Sequence, residues 1–152
     1  MNANIGIPRL PDVAGLSLDG SEPVVIDPAE NRALCATMGV APDPGGRAHP
    51  SYFYIATQVG MGLTVRALCQ ACDFDVSDGP MMATSGATFH AQLMTAQPYL
   101  VRGRIESLTR KQSRRLGWMD LLDYGLRLET PDGICAVETR NLWVLPRGAK
   151  PA

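Results

Sequence analysis

Charge is scarce in this chain. Only 19% of its 152 residues are charged, against about 25% in an ordinary soluble domain. The 14 lysines and arginines nearly cancel the 15 aspartates and glutamates, leaving a net charge of -1. That balance excludes a whole-molecule basic face for nucleic acid or for an anionic membrane. Long apolar runs are missing too. The most hydrophobic stretch, residues 52–69, is interrupted by Gln58 and Arg66 and is too broken to span a bilayer. Histidine occurs twice, and the four cysteines include one lone CxxC, Cys69 to Cys72, with no second pair and no HxxxH. Cys69 and Cys72 read as two small buried hydrophobes in a reducing compartment, and no metal is expected. The chain opens without a basic segment leading into an apolar one, so a soluble, cytoplasmic protein is expected. A nucleophile elbow, a phosphate-binding glycine loop and H-E-x-x-H are all absent.

What is present is a core. Hydrophobic residues make up 45% of the chain, and 152 residues suffice for one domain burying about two-thirds of its unfolded surface. Proline-free windows mark where hydrogen-bonded elements can form, since proline lacks an N–H and fixes φ. Residues 1–22 read as an irregular leader, residues 23–147 as a single domain and 148–152 as a tail. Val24 to Ile26 predicts a short strand. Asp27 then supplies an N-cap and Pro28 the first helical position, for a helix running to about Met38 and stopped by Gly39. After the rigid loop APDPGGRAHP, residues 51–72 predict the longest helix, with Ala56, Gly60 and Thr64 on one close-packing face.

From residue 82 the period becomes two. Tyr99, Val101, Gly103 and Ile105 alternate with polar neighbours, and Trp118, Leu122, Tyr124, Leu126 and Leu128 share the next strand's face. Thr130-Pro131-Asp132-Gly133 predicts a hairpin turn into a strand from about Ile134 to Leu145. Helices before a run of strands define an α+β class, and a long antiparallel sheet wrapped around a central helix is the hot-dog architecture.

Few residues can carry chemistry. His49 stands at the entrance of the central helix, where a neutral imidazole can act as general base or orient water; a capping role is the alternative. Asp43 is the only carboxylate in the preceding loop, able to orient His49 or to serve the Asp43-Pro44-Gly45 turn. His90 lies on the polar face of its strand and reads as structural. Asp120 sits on an apolar strand face and demands an arginine partner from a neighbouring strand. Arg102, Arg104, Arg110, Lys111, Arg114 and Arg115 place six cations in fourteen residues, either a phosphate-binding patch or a solvated hairpin. The acidic DFDVSDGP stretch misses the calcium-loop spacing and reads as a turn.

The segment from FHAQLMTAQPYLVRGRIESLTRKQ to RNLWVLPR resembles the C-terminal sheet of MaoC-like dehydratases. The features that carry the likeness are His90, Pro98 with Gly103, the Arg110–Arg115 turn, Asp132-Gly133 and Arg147. AHPSYFYIATQVGMGL is similar to the family's approach to the central helix, and PVVIDPAENRALCATMG to its first strand and helix. The resemblance covers residues 23–147 and implies a hot-dog protein that hydrates 2-enoyl thioesters or dehydrates 3-hydroxyacyl thioesters of coenzyme A or acyl carrier protein. Coenzyme A would enter as part of the substrate, with no separate cofactor. The family's G-D-x-N-P-x-H loop implies His49 and Asp43 as the water-holding pair, here separated by five residues instead of four. Backbone N–H groups near Ser51 or Gly60 would take the oxyanion, and the six cations the phosphates. A single hot-dog leaves one sheet edge and one helix flank open, so a homodimer or a heteromer with a second hot-dog subunit is expected. The alternatives are a non-catalytic acyl-binding partner subunit and a hot-dog thioesterase; residues 51–70 hold no carboxylate for the latter.

Overall fold

The computed structural model describes Ile7 and residues 9–148. Five strands and three α-helices follow in the order β1 (Val24–Val25), α1 (Pro28–Thr37), α2 (Tyr52–Gly60), α3 (Val65–Ala71), β2 (Met81–Phe89), β3 (Pro98–Ser113), β4 (Gly117–Glu129) and β5 (Cys135–Pro146). A single turn of 3-10 helix, Val76–Asp78, connects α3 to β2. The strands form one antiparallel sheet in the order β1-β3-β4-β5-β2. Its inner face packs on α2: Tyr99, Val101, Ile105, Leu122, Tyr124, Leu126, Leu128 and Val137 are all buried. This is the expected hot-dog arrangement, a curled sheet around a short central helix.

Local signals act where they are written. Asp27 Oδ1 accepts from the N–H groups of Ala29 (2.7 Å) and Glu30 (3.0 Å), with Pro28 following it. Gly39, at φ 72°, ends α1 just past Thr37, as a helix stop requires. The 130–133 turn closes with the Gly133 N–H on the Thr130 carbonyl at 2.8 Å.

Three expectations need correction. The predicted 51–72 helix is two helices, broken over residues 61–64. The leader's residues 13–20 cause the break by running along β3, with Leu18 donating to the Gly103 carbonyl and Gly20 to that of Val101. Leu18 is fully buried, so the strap belongs to the core. Where it crosses α2, a side chain on Gly62 would lie 2.3 Å from the Asp19 carbonyl oxygen, and the Gly62 N–H bonds the Leu18 carbonyl instead of continuing the helix. Thr64, expected on the helix face, is the N-cap of α3, accepting from Ala67 at 3.1 Å. Lastly, His90, expected on the polar face of a strand, is not in one: β2 ends at Phe89, and His90 begins a loop.

The sheet's two edges differ. Beyond β1, β3's edge is covered by the strap, whereas β2 is bare, with eight of its nine residues exposed, Met81, Met82 and Phe89 among them. Among the described residues no helix is long and apolar enough to cross a membrane.

Candidate functional site

His49 is held from four sides. Its backbone N–H donates to Asn31 Oδ1 on α1 at 2.8 Å, a buried side chain in the middle of that helix. Next door, Ala48 bonds the Leu93 carbonyl at 2.7 Å, and Thr95 bonds the Gly46 carbonyl through both its N–H and its hydroxyl. The ring's Nδ1 receives the backbone N–H of Ser51 at 3.2 Å and lies 2.7 Å from Ser51 Oγ. A backbone N–H can only donate, so Nδ1 is an acceptor and the neutral ring carries its proton on Nε2. Half-buried His49 thus offers an Nε2–H donor at the mouth of α2.

The groups named with it are placed differently. Asp43 turns back on its own loop: Oδ2 accepts from the Arg47 N–H at 3.0 Å, and its carbonyl accepts from Gly46. Its bonds close the 43–47 turn and none reaches His49 among the described residues. The Ser51 N–H is occupied by the His49 ring, and the next N–H groups, of Tyr52, Phe53 and Tyr54, already bond the carbonyls of His49, Pro50 and Ser51. The start of α2 therefore presents no open pair of N–H groups for an oxyanion. Gly60 is at the helix's other end, where a Cβ would sit 2.6 Å from Val101 Cγ2. Its glycine serves close packing.

The six cations do not form one patch, because a bulge in β3 and ion pairing divide them: the register shifts between Ile105 and Ser107, which turns Arg110 to the face opposite Arg102 and Arg104. Arg102 bonds the Gly20 carbonyl at 3.2 Å beside Asp19. Arg104 pairs with Glu106 at 3.1 Å. Arg110 forms a two-pronged bond with fully buried Asp120, at 2.7 and 3.0 Å. Arg147 adds a third bond to Asp120 at 2.6 Å and donates to the Cys72 and Asp73 carbonyls at the end of α3. The partner Asp120 demanded is thus present twice over. Only Lys111, Arg114 and Arg115, exposed around the β3–β4 turn, carry no ion pair among the described residues. They lie at the opposite end of β3 from the loop that holds His49, about 3.3 Å of strand per residue away. On the sheet face turned from α2, an open trough of about 1060 Å³ is lined by four arginines, 102, 104, 127 and 140, against four carboxylates, Asp19, Glu106, Glu129 and Glu138. Its charge is balanced.

Sequence reasoning missed a polar lane on the inner face. The Gln58 amide of α2 meets the Tyr124 hydroxyl at 3.0 Å, and burial pushes that phenol well above its ordinary range, so it stays protonated. Beside it, Ser85 donates to Asn141 Oδ1 at 2.7 Å, and Asn141 reaches Thr139 at 3.4 Å. Asn31 was missed as well. The only signal for any of these was a polar residue at a core position of an otherwise apolar period. A smaller pocket of about 350 Å³ opens next to His49's neighbours, lined by Ala48, Pro50, Phe89, His90 and Leu93.

No family model and no curated protein matches the sequence. In structure the chain is similar to a chain of the HadBC (3R-hydroxyacyl-ACP dehydratase) complex from Mycobacterium tuberculosis, at 12% identity and TM-score 0.67. That match covers 88% of this chain and 97% of that one. A chain of the ChsH1-ChsH2 complex from the same organism matches at 14% identity and TM-score 0.65, over 89% and 85%. The MaoC-like dehydratase from Rhodospirillum rubrum matches at 12% identity and TM-score 0.59, over 91% and 96%. The protein has the hot-dog fold of the MaoC-like dehydratases.

Proposed function

We propose that this chain acts on an acyl thioester of coenzyme A or acyl carrier protein, as a 2-enoyl hydratase or 3-hydroxyacyl dehydratase or as one subunit of such an enzyme. The observation that carries the reading is His49: a half-buried imidazole at the mouth of the central helix, locked through Nδ1, which leaves Nε2–H as its donor. Hydration of a 2-enoyl thioester puts hydroxyl on C3 and a proton on C2, passing through an enolate whose charge rests on the thioester oxygen. A fixed N–H donor aimed at that oxygen stabilises the transition state more than the ground state. His49 supplies that donor where the helix's own N–H groups are engaged. Asp43 shapes the loop that carries it.

A second reading follows from Asp43. Its carboxylate closes its own turn, so the base that takes water's proton would come from another subunit, seated along the bare β2 edge. In that form the chain is a binding and positioning half of a heteromer, and the structurally similar chains of HadBC and ChsH1-ChsH2 come from complexes named for two components. A homodimer would cover the same edge.

The test is hydration of a panel of 2-enoyl-CoA thioesters, followed by loss of enoyl absorbance, for the wild-type chain and His49→Ala. Turnover reduced by about 10²–10³ in the variant is expected on removing one positioned oxyanion donor. Turnover unchanged in the variant removes His49 from the site. No turnover by the chain alone, restored by a second hot-dog subunit, selects the heteromer.

A further inference from the structure

Three side chains far apart in sequence meet on the outer face of the sheet, where β2 ends against β5. They are His90, Cys135 and Glu138, whose ligand atoms all lie within 4.8 Å of one another. His90 Nε2 is 3.0 Å from Glu138 Oε2. The convergence is produced by the backbone. Residues 135 and 138 are an odd number of positions apart, so on a regular strand they would point to opposite faces. Here the β4–β5 register shifts between Leu128 and Glu129, Leu128 facing Val137 and Glu129 facing Cys135. The extra residue, Ala136, is buried next to buried Val137, so Cys135 returns to the outer face with Glu138. The Ala136 carbonyl also accepts two successive N–H groups, of His90 at 2.9 Å and Ala91 at 3.1 Å. The bulge therefore fixes the end of β2 as well and sets His90 beside Glu138. Bulges are a common device for re-aiming a side chain.

We propose that His90, Cys135 and Glu138 form a binding site for a borderline divalent transition ion, Zn²⁺ being the fitting member of that class. One nitrogen, one sulfur and one carboxylate oxygen form a donor set that suits zinc and is poorly suited to Ca²⁺ or Mg²⁺, which take oxygen. In a tetrahedral zinc site the donors stand roughly 3.3–3.8 Å apart, from bond lengths of about 2.0–2.3 Å. The three donor atoms, all within 4.8 Å of one another and two of them 3.0 Å apart, bracket that spacing. Three protein donors leave a fourth position for water. His90 lines the 350 Å³ pocket together with Ala48, Pro50 and Phe89. Arg127 and Glu129, the cross-strand neighbours of Glu138 and Cys135, are paired with each other at 2.8 Å. The site would tie the free end of β2 to the β4–β5 hairpin. It does not depend on the thioester reading.

The test titrates the reduced, chelator-treated full chain with Co²⁺ and then Zn²⁺, with Cys135→Ser, His90→Ala and Cys35→Ser in parallel. The expected result is one ion per chain and a thiolate-to-cobalt charge-transfer band that Zn²⁺ displaces, with a raised melting temperature. Cys135→Ser should lose the band, His90→Ala should weaken binding roughly a hundredfold or more, and Cys35→Ser should match wild type. His90 is exposed and Cys135 half-buried, and circular dichroism of the metal-free variants checks that both fold. Absence of saturable binding overturns the proposal. So does a band that survives Cys135→Ser, which would place the ion on the other cysteines, or an affinity indifferent to His90→Ala.

Discussion

The β3–β4 turn end of the sheet and the His49 end handle polar groups in opposite ways. At the first, a carboxylate taken entirely out of water is gripped by two arginines, and one of them, Arg147, also caps the carbonyls that finish α3 and packs on the Phe74 ring at 5.4 Å. At the second, His49 is positioned through its backbone and one ring nitrogen, while Nε2 makes no bond among the described residues and the β2 edge and a neighbouring pocket stay open. The charges of Asp120, Arg110 and Arg147 at the closed end are consumed in holding elements together. Polar groups at the open end are arranged but uncommitted, and there the chain can meet a substrate or a partner.

The contrast predicts unequal responses to substitution. Asp120→Ala strands two arginine charges in a mostly buried setting and should cost about 3–5 kcal/mol of unfolding free energy, read by urea denaturation; a cost below about 1 kcal/mol would break the comparison. Alkaline titration should strike the same end. Burial, reinforced by Cys69, pushes the Cys72 thiol up from 9.0 to about 12. A raised folded-state pKa means the contribution is fully present below pH 9 and is lost as pH rises toward 12. Stability should fall across that window by at most about 1.4 kcal/mol per pH unit for this thiol, and Cys72→Ala should flatten that slope. Gly62→Ala drives a Cβ against the strap's Asp19 carbonyl and should cost about 1–3 kcal/mol. His49→Ala removes a helix-end acceptor and little else, so its cost should be about 0.5–1 kcal/mol, however large its effect on turnover.

How much of this was legible depended on distance along the chain. Asp27-Pro28 and Gly39 bound α1 through bonds spanning a few residues, and the 130–133 turn closes on itself, so both were readable. Asp120's need for a cation was readable because a carboxylate on an apolar strand face has few other solutions. That Arg147 would answer, 27 residues away, was not. The broken central helix depends on a strap some forty residues upstream, and a helical period carries no trace of that contact. The six cations looked like one patch because the sequence shows neither the β3 bulge that turns Arg110 away from Arg102 and Arg104 nor the partners Asp19, Glu106 and Asp120. Of the site, the position of His49 at the helix mouth was visible. The carboxamide of Asn31 that holds it, and the engagement of Asp43 with its own turn, depend on tertiary packing and on loop closure.

The comparison is tested most directly by amide hydrogen exchange with and without a saturating, non-hydratable acyl-CoA. Binding at the open end should slow exchange in residues 47–54 and 85–93 and leave the Asp120–Arg147 end unchanged. Protection confined to residues 72–78 and 110–120 would contradict the account and move the functional site to the arginine-lined end.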